Sequence, residues 1–319
     1  QGPYVKRFEK IFSNFHKTRY ALATSNCTTA LHLSFMSLGI GPGDEVICPN
    51  LTFIAPANMI LLTGANLVLA DVDEETLTID PSKISSLITK KTKAILVVHQ
   101  FGHAADMDPI MKIAKKNNLY VIEDNAESLG GKYKGKLLGT IGHISTFSFF
   151  SNKIITSGEG GIFLTNNKKI FNRAQLIRDH GMSRRKKYNF LLLGTNYRMT
   201  NMQASLLCAQ MEYLKKIFNI RTKQMKIYYE NLKNVKGLEL RTFKDYVEPA
   251  HWLMTLKTTK ISRNKIISFM KNKNIECRPM ISPVHLSKHI RDKNNIKKFK
   301  TITNVAKSYF HLPSSTNLK

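Results

Sequence analysis

Seven short apolar runs, interleaved with helical patterns, set the terms on which this chain can fold. The runs are Ala21–Ala23, Glu45–Ile47, Leu67–Leu69, Ala94–Val98, Tyr120–Ile122, Ser145–Phe149 and Gly161–Leu164. Runs of this length suit strands buried on both faces. Between most of them apolar residues recur at helical spacing, as over Thr29–Leu38, Ala55–Leu62 and Met107–Lys116. Strands that alternate with helices are joined by crossovers, so the pattern predicts an α/β fold with a mostly parallel, doubly covered sheet. Ligands of such sheets gather at the carboxyl ends of the strands, and a functional site is expected there.

The flanks extend this pattern. Val5, Phe8, Phe12 and Phe15 share one face of an opening helix. A long helical stretch over Asn201–Leu232 reads as a connector between domains, followed by a strand at His251–Leu256, a helix at Arg263–Lys273 and a strand at Ile275–Arg278. Leu312–Asn317 reads as a loop entering a further helix. The expected division is a large domain over 1–220 and a smaller one over 221–319, in a native chain that extends beyond both ends.

Composition narrows the class. With 42% hydrophobic and 22% charged residues the chain is globular rather than disordered. It lacks the roughly 18 unbroken apolar residues of a membrane span and the core of a signal peptide, so neither membrane nor secretion is expected. Cys27, Cys48, Cys208 and Cys277 are scattered without a CxxC pair, the usage of free thiols in a reducing cytoplasm rather than of disulfides or zinc. The net charge of +27 would attract polyanions, yet pairs such as Lys90-Lys91, Arg184-Arg185 and Lys297-Lys298 are spread along the chain with no aromatic interleaving. Solvated basic faces and a phosphorylated substrate account for that better than nucleic acid does.

Three segments carry candidate chemistry. Ser25-Asn26-Cys27-Thr28-Thr29-Ala30 opens the helix after the first strand, where free N–H groups suit a phosphate, though a plain N-cap explains it equally. Asp124 follows the Tyr120 strand, where a carboxylate can keep a heterocyclic nitrogen protonated or simply cap a turn. Lys153 ends Ser148-Phe149-Phe150-Ser151-Asn152-Lys153 and precedes Gly158-Glu159-Gly160-Gly161; a lysine at a sheet edge can bond an aldehyde cofactor, and burial would then free it as a base. Each signal is weak alone; their shared sheet edge joins them. Gly158–Phe163 lacks the final glycine and the following helix of a dinucleotide fingerprint, and His99 and His103 lack the glutamate of a metalloprotease motif. No metal is expected.

These residues resemble a known family. The segments Ala23–Leu31, Gly39–Pro49, His99–Asp108, Ile122–Gly135, Phe147–Gly161, Asn196–Gln203 and Arg278–His285 are similar to the DegT–DnrJ–StrS sugar aminotransferases, most closely to the members that make GDP-perosamine. The resemblance covers essentially the whole chain, and its most specific part is the lysine segment with its GEGG tail. It implies the type I aminotransferase fold, a large domain with a seven-stranded sheet and a small C-terminal α/β domain. It also implies pyridoxal 5'-phosphate as cofactor and a cytoplasmic homodimer with shared active sites. Lys153 would carry the cofactor and shuttle protons, and Asp124 would partner its ring nitrogen. Glu127 would lie near its phenolic oxygen, and Phe53 would stack on the ring. Cys27, Thr28 and Ser148 would contact the phosphate, and Asn196 the phosphate in the neighbouring subunit. Cys27 replaces a usual Gly, Asn125 a usual Ala and Ser151 a usual Gly. Arg198, Arg278 and His285 are candidates for holding the nucleotide sugar.

The implied reaction takes an amino group from L-glutamate to a nucleotide-linked 4-keto-6-deoxy sugar, by resemblance GDP-4-keto-6-deoxymannose, for surface polysaccharide. A related sugar 3-dehydratase would carry His at the position of Lys153, and a non-catalytic regulator would have no use for an activated amine beside Asp124.

Overall fold

The computed structural model describes residues 2–290 and 298–318; Lys297 of the Lys297-Lys298 pair lies outside them. The chain opens with α1 (Pro3–His16), β1 (Tyr20–Thr24), α2 (Cys27–Leu38), β2 (Glu45–Pro49), α3 (Ile54–Leu62) and β3 (Asn66–Ala70). There follow α4 (Pro81–Ile84), β4 (Thr92–Val98), α5 (Met107–Lys116), β5 (Tyr120–Asp124), a small hairpin of β6 (Lys132–Tyr133) and β7 (Lys136–Leu137), β8 (Ile144–Ser148), β9 (Gly161–Thr165) and α6 (Lys168–Arg178). All seven runs expected as strands are strands of one sheet, in the order β1-β9-β8-β5-β4-β2-β3. β2, β3, β4, β5 and β8 pair in parallel, while β9 runs antiparallel to both β1 and β8.

Strand alternation sorts the apolar side chains onto the two faces. On one face Leu22, Leu96, Ile122 and Phe163 pack with Leu31 and Phe35 of α2 and Ile170, Ala174 and Ile177 of α6. On the other face, Ile95, Val97 and Val121 meet Met107, Ile110 and Ala114 of α5. Towards the β1 edge, Ala21, Ala23, Phe147 and Ile162 meet Val5, Phe8 and Phe12 of α1. Phe8 and Phe12 lie edge-on to Phe149, at 5.3 and 5.4 Å between centroids, so the opening helix is pinned to the strand that leads to Lys153.

The second half departs from the sequence reading in detail. The stretch expected as one helix over 201–232 is two, α7 (Asn201–Glu212) and α8 (Leu214–Leu232), broken at Tyr213 with φ −98° and ψ 5°. Ala204, Leu207 and Cys208 of α7 and Leu214 at the start of α8 join the α1 side of the main sheet, while Met225, farther along α8, joins a C-terminal cluster with Met254, Leu256 and Phe310. That cluster lies under a second, antiparallel sheet in the order β10-β12-β14-β13, formed by β10 (Leu238–Leu240), β12 (Met254–Thr258), β13 (Arg278–Pro279) and β14 (Tyr309–Leu312). The intervening β11 (Val247–Glu248) pairs with the β6–β7 hairpin. The strand expected at His251–Leu256 begins only at Met254, and that at Ile275–Arg278 shrinks to two residues. Arg263–Asn272 is helical as expected (α9), and α10 (Lys300–Ser308) was not foreseen. Leu312 closes a strand rather than opening a loop.

All four cysteines are buried free thiols. No helix among the described residues is long and apolar enough to cross a membrane, and no group of His, Cys, Asp or Glu there is arranged to hold a metal ion.

Candidate active site

At the carboxyl edge of the main sheet, a cavity of about 500 Å³ opens between the strand ends and the C-terminal sheet. Its walls include Val98 ending β4, Asp124 ending β5, Ser148 ending β8, Cys27 and Thr28 of the first turn of α2, and Phe53, Glu127 and Lys153. Arg278, Trp252 and His311 close it from the other side. Residues as far apart in sequence as Cys27 and Lys153 are therefore neighbours because parallel strands end at one edge.

Asp124 is buried, and its Oδ1 accepts the Ala126 N–H at 2.9 Å and faces the Cys27 thiol at 3.9 Å. Its other oxygen makes no hydrogen bond to the described residues. Burial raises its pKa, against the pull of the Ala126 N–H and of Lys153. The strand end is held by its neighbour: Glu123 accepts N–H bonds from Gly139 and Ile141, each at 2.8 Å, and its Oε2 lies 3.0 Å from His99 Nε2. Because His99 Nδ1 accepts the Ala105 N–H at 3.1 Å, Nε2 carries the proton and donates to Glu123. Burial alone would raise the Glu123 carboxyl; the His99 and backbone donors bring it below its ordinary value.

Lys153 sits in the turn between β8 and β9. That turn is folded on itself, with the Phe149 N–H to Gly160 O at 2.8 Å and the Lys153 N–H to Phe150 O at 3.0 Å. It is also tied to α7 by the Thr156 N–H to Gln210 Oε1 at 2.9 Å. Burial lowers the pKa of the amine, and the charges of Glu127 and Asp124 only partly offset this. Glu127 accepts the Phe101 N–H at 2.8 Å, and burial pushes its carboxyl up.

At the start of α2, Asn26 and Thr29 form a reciprocal capping box, with the Thr29 N–H to Asn26 Oδ1 at 2.9 Å. The N–H groups of Cys27 and Thr28, one turn of helix mouth, have no acceptor among the described residues. A Cβ on Gly161 would lie 2.3 Å from the Asn26 carbonyl carbon, so only glycine lets β9 carry this turn so closely. The Cys27 thiol points away from the helix mouth towards Asp124. Burial and the Asp124 charge keep it protonated.

Cys27, Thr28, Phe53, Asp124, Glu127, Ser148, Lys153 and Arg278 thus share one cavity. Three other candidates lie elsewhere. Asn196 is exposed, bridged to Asp179, in a region flanked by exposed Phe190, Leu191 and Leu193. Arg198 pairs with Asp179. His285 is fully buried, with Nδ1 3.0 Å from Asn50 Oδ1 and Nε2 3.2 Å from Thr303 Oγ1. Sequence reasoning missed Trp252, Phe101 and His311. Only Trp252 carried a signal, as the chain's one tryptophan.

Comparison with known proteins agrees with this architecture. Residues 1–319 match the DegT/DnrJ/EryC1/StrS aminotransferase family. The chain is 42% identical over 286 residues to GDP-perosamine synthase of Escherichia coli O157:H7, covering 89% of this chain and 78% of that one. It is 41% identical over 292 residues to GDP-perosamine synthase of Caulobacter vibrioides, with the same coverage. Among solved structures, S. venezuelae DesV in complex with a ketimine intermediate superposes with a TM-score of 0.92 at 30% identity, over 100% of this chain and 86% of that one. The chain belongs to the DegT/DnrJ/EryC1/StrS aminotransferase family and is an enzyme of the transaminase class.

Proposed function

We propose that the enzyme uses pyridoxal 5'-phosphate to move an amino group from L-glutamate to GDP-4-keto-6-deoxymannose, giving GDP-perosamine for a surface polysaccharide. The observation that carries this reading is the cavity that joins Lys153 to Asp124. The residues fit the cofactor in three respects. Asp124 keeps one oxygen without a partner among the described residues, suited to a pyridinium N–H. The Cys27 and Thr28 N–H groups at the mouth of α2, with Ser148 alongside, suit a phosphate. Phe53, 59% exposed, offers a free ring for stacking. Cys27 contributes its backbone N–H there, since its thiol is turned to Asp124.

Bound in the cavity, the cofactor supplies the electron sink that lets a proton leave the donor's α-carbon. Lys153, its charged form disfavoured by burial, takes that proton as a neutral amine. In the second half-reaction it returns a proton to C4 of the sugar. Asp124 would hold the proton on the ring nitrogen, and Glu127 would face the phenolic oxygen. Arg278, a cation of the cavity wall whose Nε lies 3.2 Å from Glu276 Oε1, would exchange that exposed partner for the nucleotide diphosphate. Asn196, exposed among apolar side chains, serves the phosphate of a second subunit in a homodimer. We assign residues 1–220 to the cofactor-binding domain and 221–319 to a smaller one, and the enzyme to the cytoplasm. Support for the GDP sugar is the likeness to two GDP-perosamine synthases.

The test incubates the protein with cofactor, L-glutamate and a panel of nucleotide keto-sugars. Formation of 2-oxoglutarate with GDP-4-keto-6-deoxymannose is expected. Turnover only with a UDP- or dTDP-linked sugar keeps transamination and removes the GDP substrate; none with any sugar removes the reading. Borohydride reduction of the loaded enzyme should fix the label on Lys153, and label on another lysine would reassign the site.

A further inference from the structure

With two buried carboxylates facing the same cavity, the Lys153 amine makes neither an ion pair nor a hydrogen bond to any described residue. Its Nζ lies 3.8 Å from the centroid of the Trp252 indole. The indole is fixed from several sides. Its Nε1–H donates to the carbonyl of Asn152, the residue before Lys153, at 2.8 Å. The Phe101 ring lies nearly parallel to it, 6.4 Å between centroids and 10° between planes. Phe101 is itself held in the left-handed region at φ 51°, its N–H on Glu127 and its carbonyl on Arg241. Trp252 is 5% exposed, so the ring has little freedom to leave.

We infer that Trp252 is a positioning residue: its indole face is the resting place of the Lys153 amine whenever that amine is not bonded to the cofactor. This rests on the assignment of Lys153 as the cofactor lysine. The chemistry favours an aromatic face over a carboxylate here. An ion pair would fix the amine as an ammonium and tether it tightly. The ring face attracts the ammonium more weakly, makes no hydrogen bond to its neutral form, and so leaves it ready to take a proton and to return. Because Asn152 anchors the ring to the same turn that carries Lys153, ring and amine move as one unit.

Trp252 is the chain's single tryptophan, so the emission comes from this indole alone. In the cofactor-free enzyme, wild-type emission should change with pH as Lys153 loses its proton, and the Lys153→Met variant should lack that change. The other groups around the amine do not mimic it. The Cys27 thiol, pushed well up by burial, the raised carboxyls of Asp124 and Glu127, His311, lowered to about 3, and Arg278 all remain in the Lys153→Met variant, so the comparison subtracts them. Emission that titrates identically in wild type and Lys153→Met overturns the proposal. A second measurement follows acetylation of Lys153 by acetic anhydride at pH 7 in cofactor-free protein, with peptide mass as the readout. Trp252→Leu should speed it about thirtyfold, the size of a desolvated cation–π contact, while Trp252→Phe stays close to wild type. Equal rates in wild type and the folded Leu variant also overturn it. Borohydride labelling separates the two failures: label on Lys153 with unaltered emission sinks the role of Trp252 alone, and label elsewhere sinks the assignment of Lys153.

Discussion

Asp124 meets two opposed demands. It is buried, which favours the neutral acid, and it has to stay ionised to hold a proton on a ring nitrogen. The Ala126 N–H on Oδ1 and the charge of Lys153 pull towards ionisation, and a bound pyridinium would complete the balance. Asparagine at this position keeps the Oδ1 acceptor for Ala126 while removing the charge. Asp124→Asn is therefore expected to fold and melt like the parent, or slightly higher, and to lose about a hundredfold or more in kcat, the scale of losing one preorganised electrostatic group. Steady-state rates beside a thermal melt check both halves, and wild-type turnover would remove Asp124 from the chemistry.

At the scale of elements, the site depends on how closely the α2 turn sits on β9. The contact between Gly161 and the Asn26–Cys27 backbone leaves no room for a methyl group, and the nearest atoms are main chain, which cannot swing aside. Gly161→Ala should cost about 1–3 kcal/mol of stability, as overpacking does. It should also weaken cofactor binding, because the N–H groups of Cys27 and Thr28 are displaced together; a denaturant melt and a cofactor titration read the two effects. Much of this arrangement was legible in the sequence. The seven strands and their shared edge follow from apolar runs whose alternation fits two covered faces, whereas Lys153 and Asp124, weak signals at strand ends, stood out only through the family resemblance. The break at Tyr213 did not, because helical periodicity records which face is apolar and not which core it meets. No glycine or proline marks the break, and α8 still packs on the α1 side at Leu214 before Met225 reaches the second sheet. Trp252 was hidden for a related reason. It precedes β12 rather than lying in it, and it reaches the cavity only because the C-terminal sheet folds back over the first.

For the whole molecule, the excess of positive charge and the buried histidines act in the same direction. The net charge of +27 already opposes compaction, and each histidine that takes up a proton adds to it. Burial lowers the pKa of His16 to about 4 and those of His103 and His311 to about 3, so the folded protein keeps all three neutral where the unfolded chain protonates them near 6.5. A depressed pKa gives stability that is complete above 6.5 and is lost as pH falls towards 3–4. In that window each histidine removes up to about 1.4 kcal/mol per pH unit, about 4 for the three together. The raised carboxyls of Asp124 and Glu127 act in the opposite sense, so the cleaner measurement isolates one histidine. His16 suits it. Its ring lies 4.5 Å from Phe12 and 4.6 Å from Phe147, its Nδ1 reaches the Phe12 carbonyl at 3.1 Å, its Nε2 has no partner among the described residues, and phenylalanine can occupy the same space. Between pH 7 and 5 the wild type should lose about 2 kcal/mol more in urea unfolding than His16→Phe, because only the wild type's unfolded state binds that extra proton. Parallel stability curves for the two proteins would mean that His16 is already protonated inside the fold, in conflict with its place among the Phe12 and Phe147 rings.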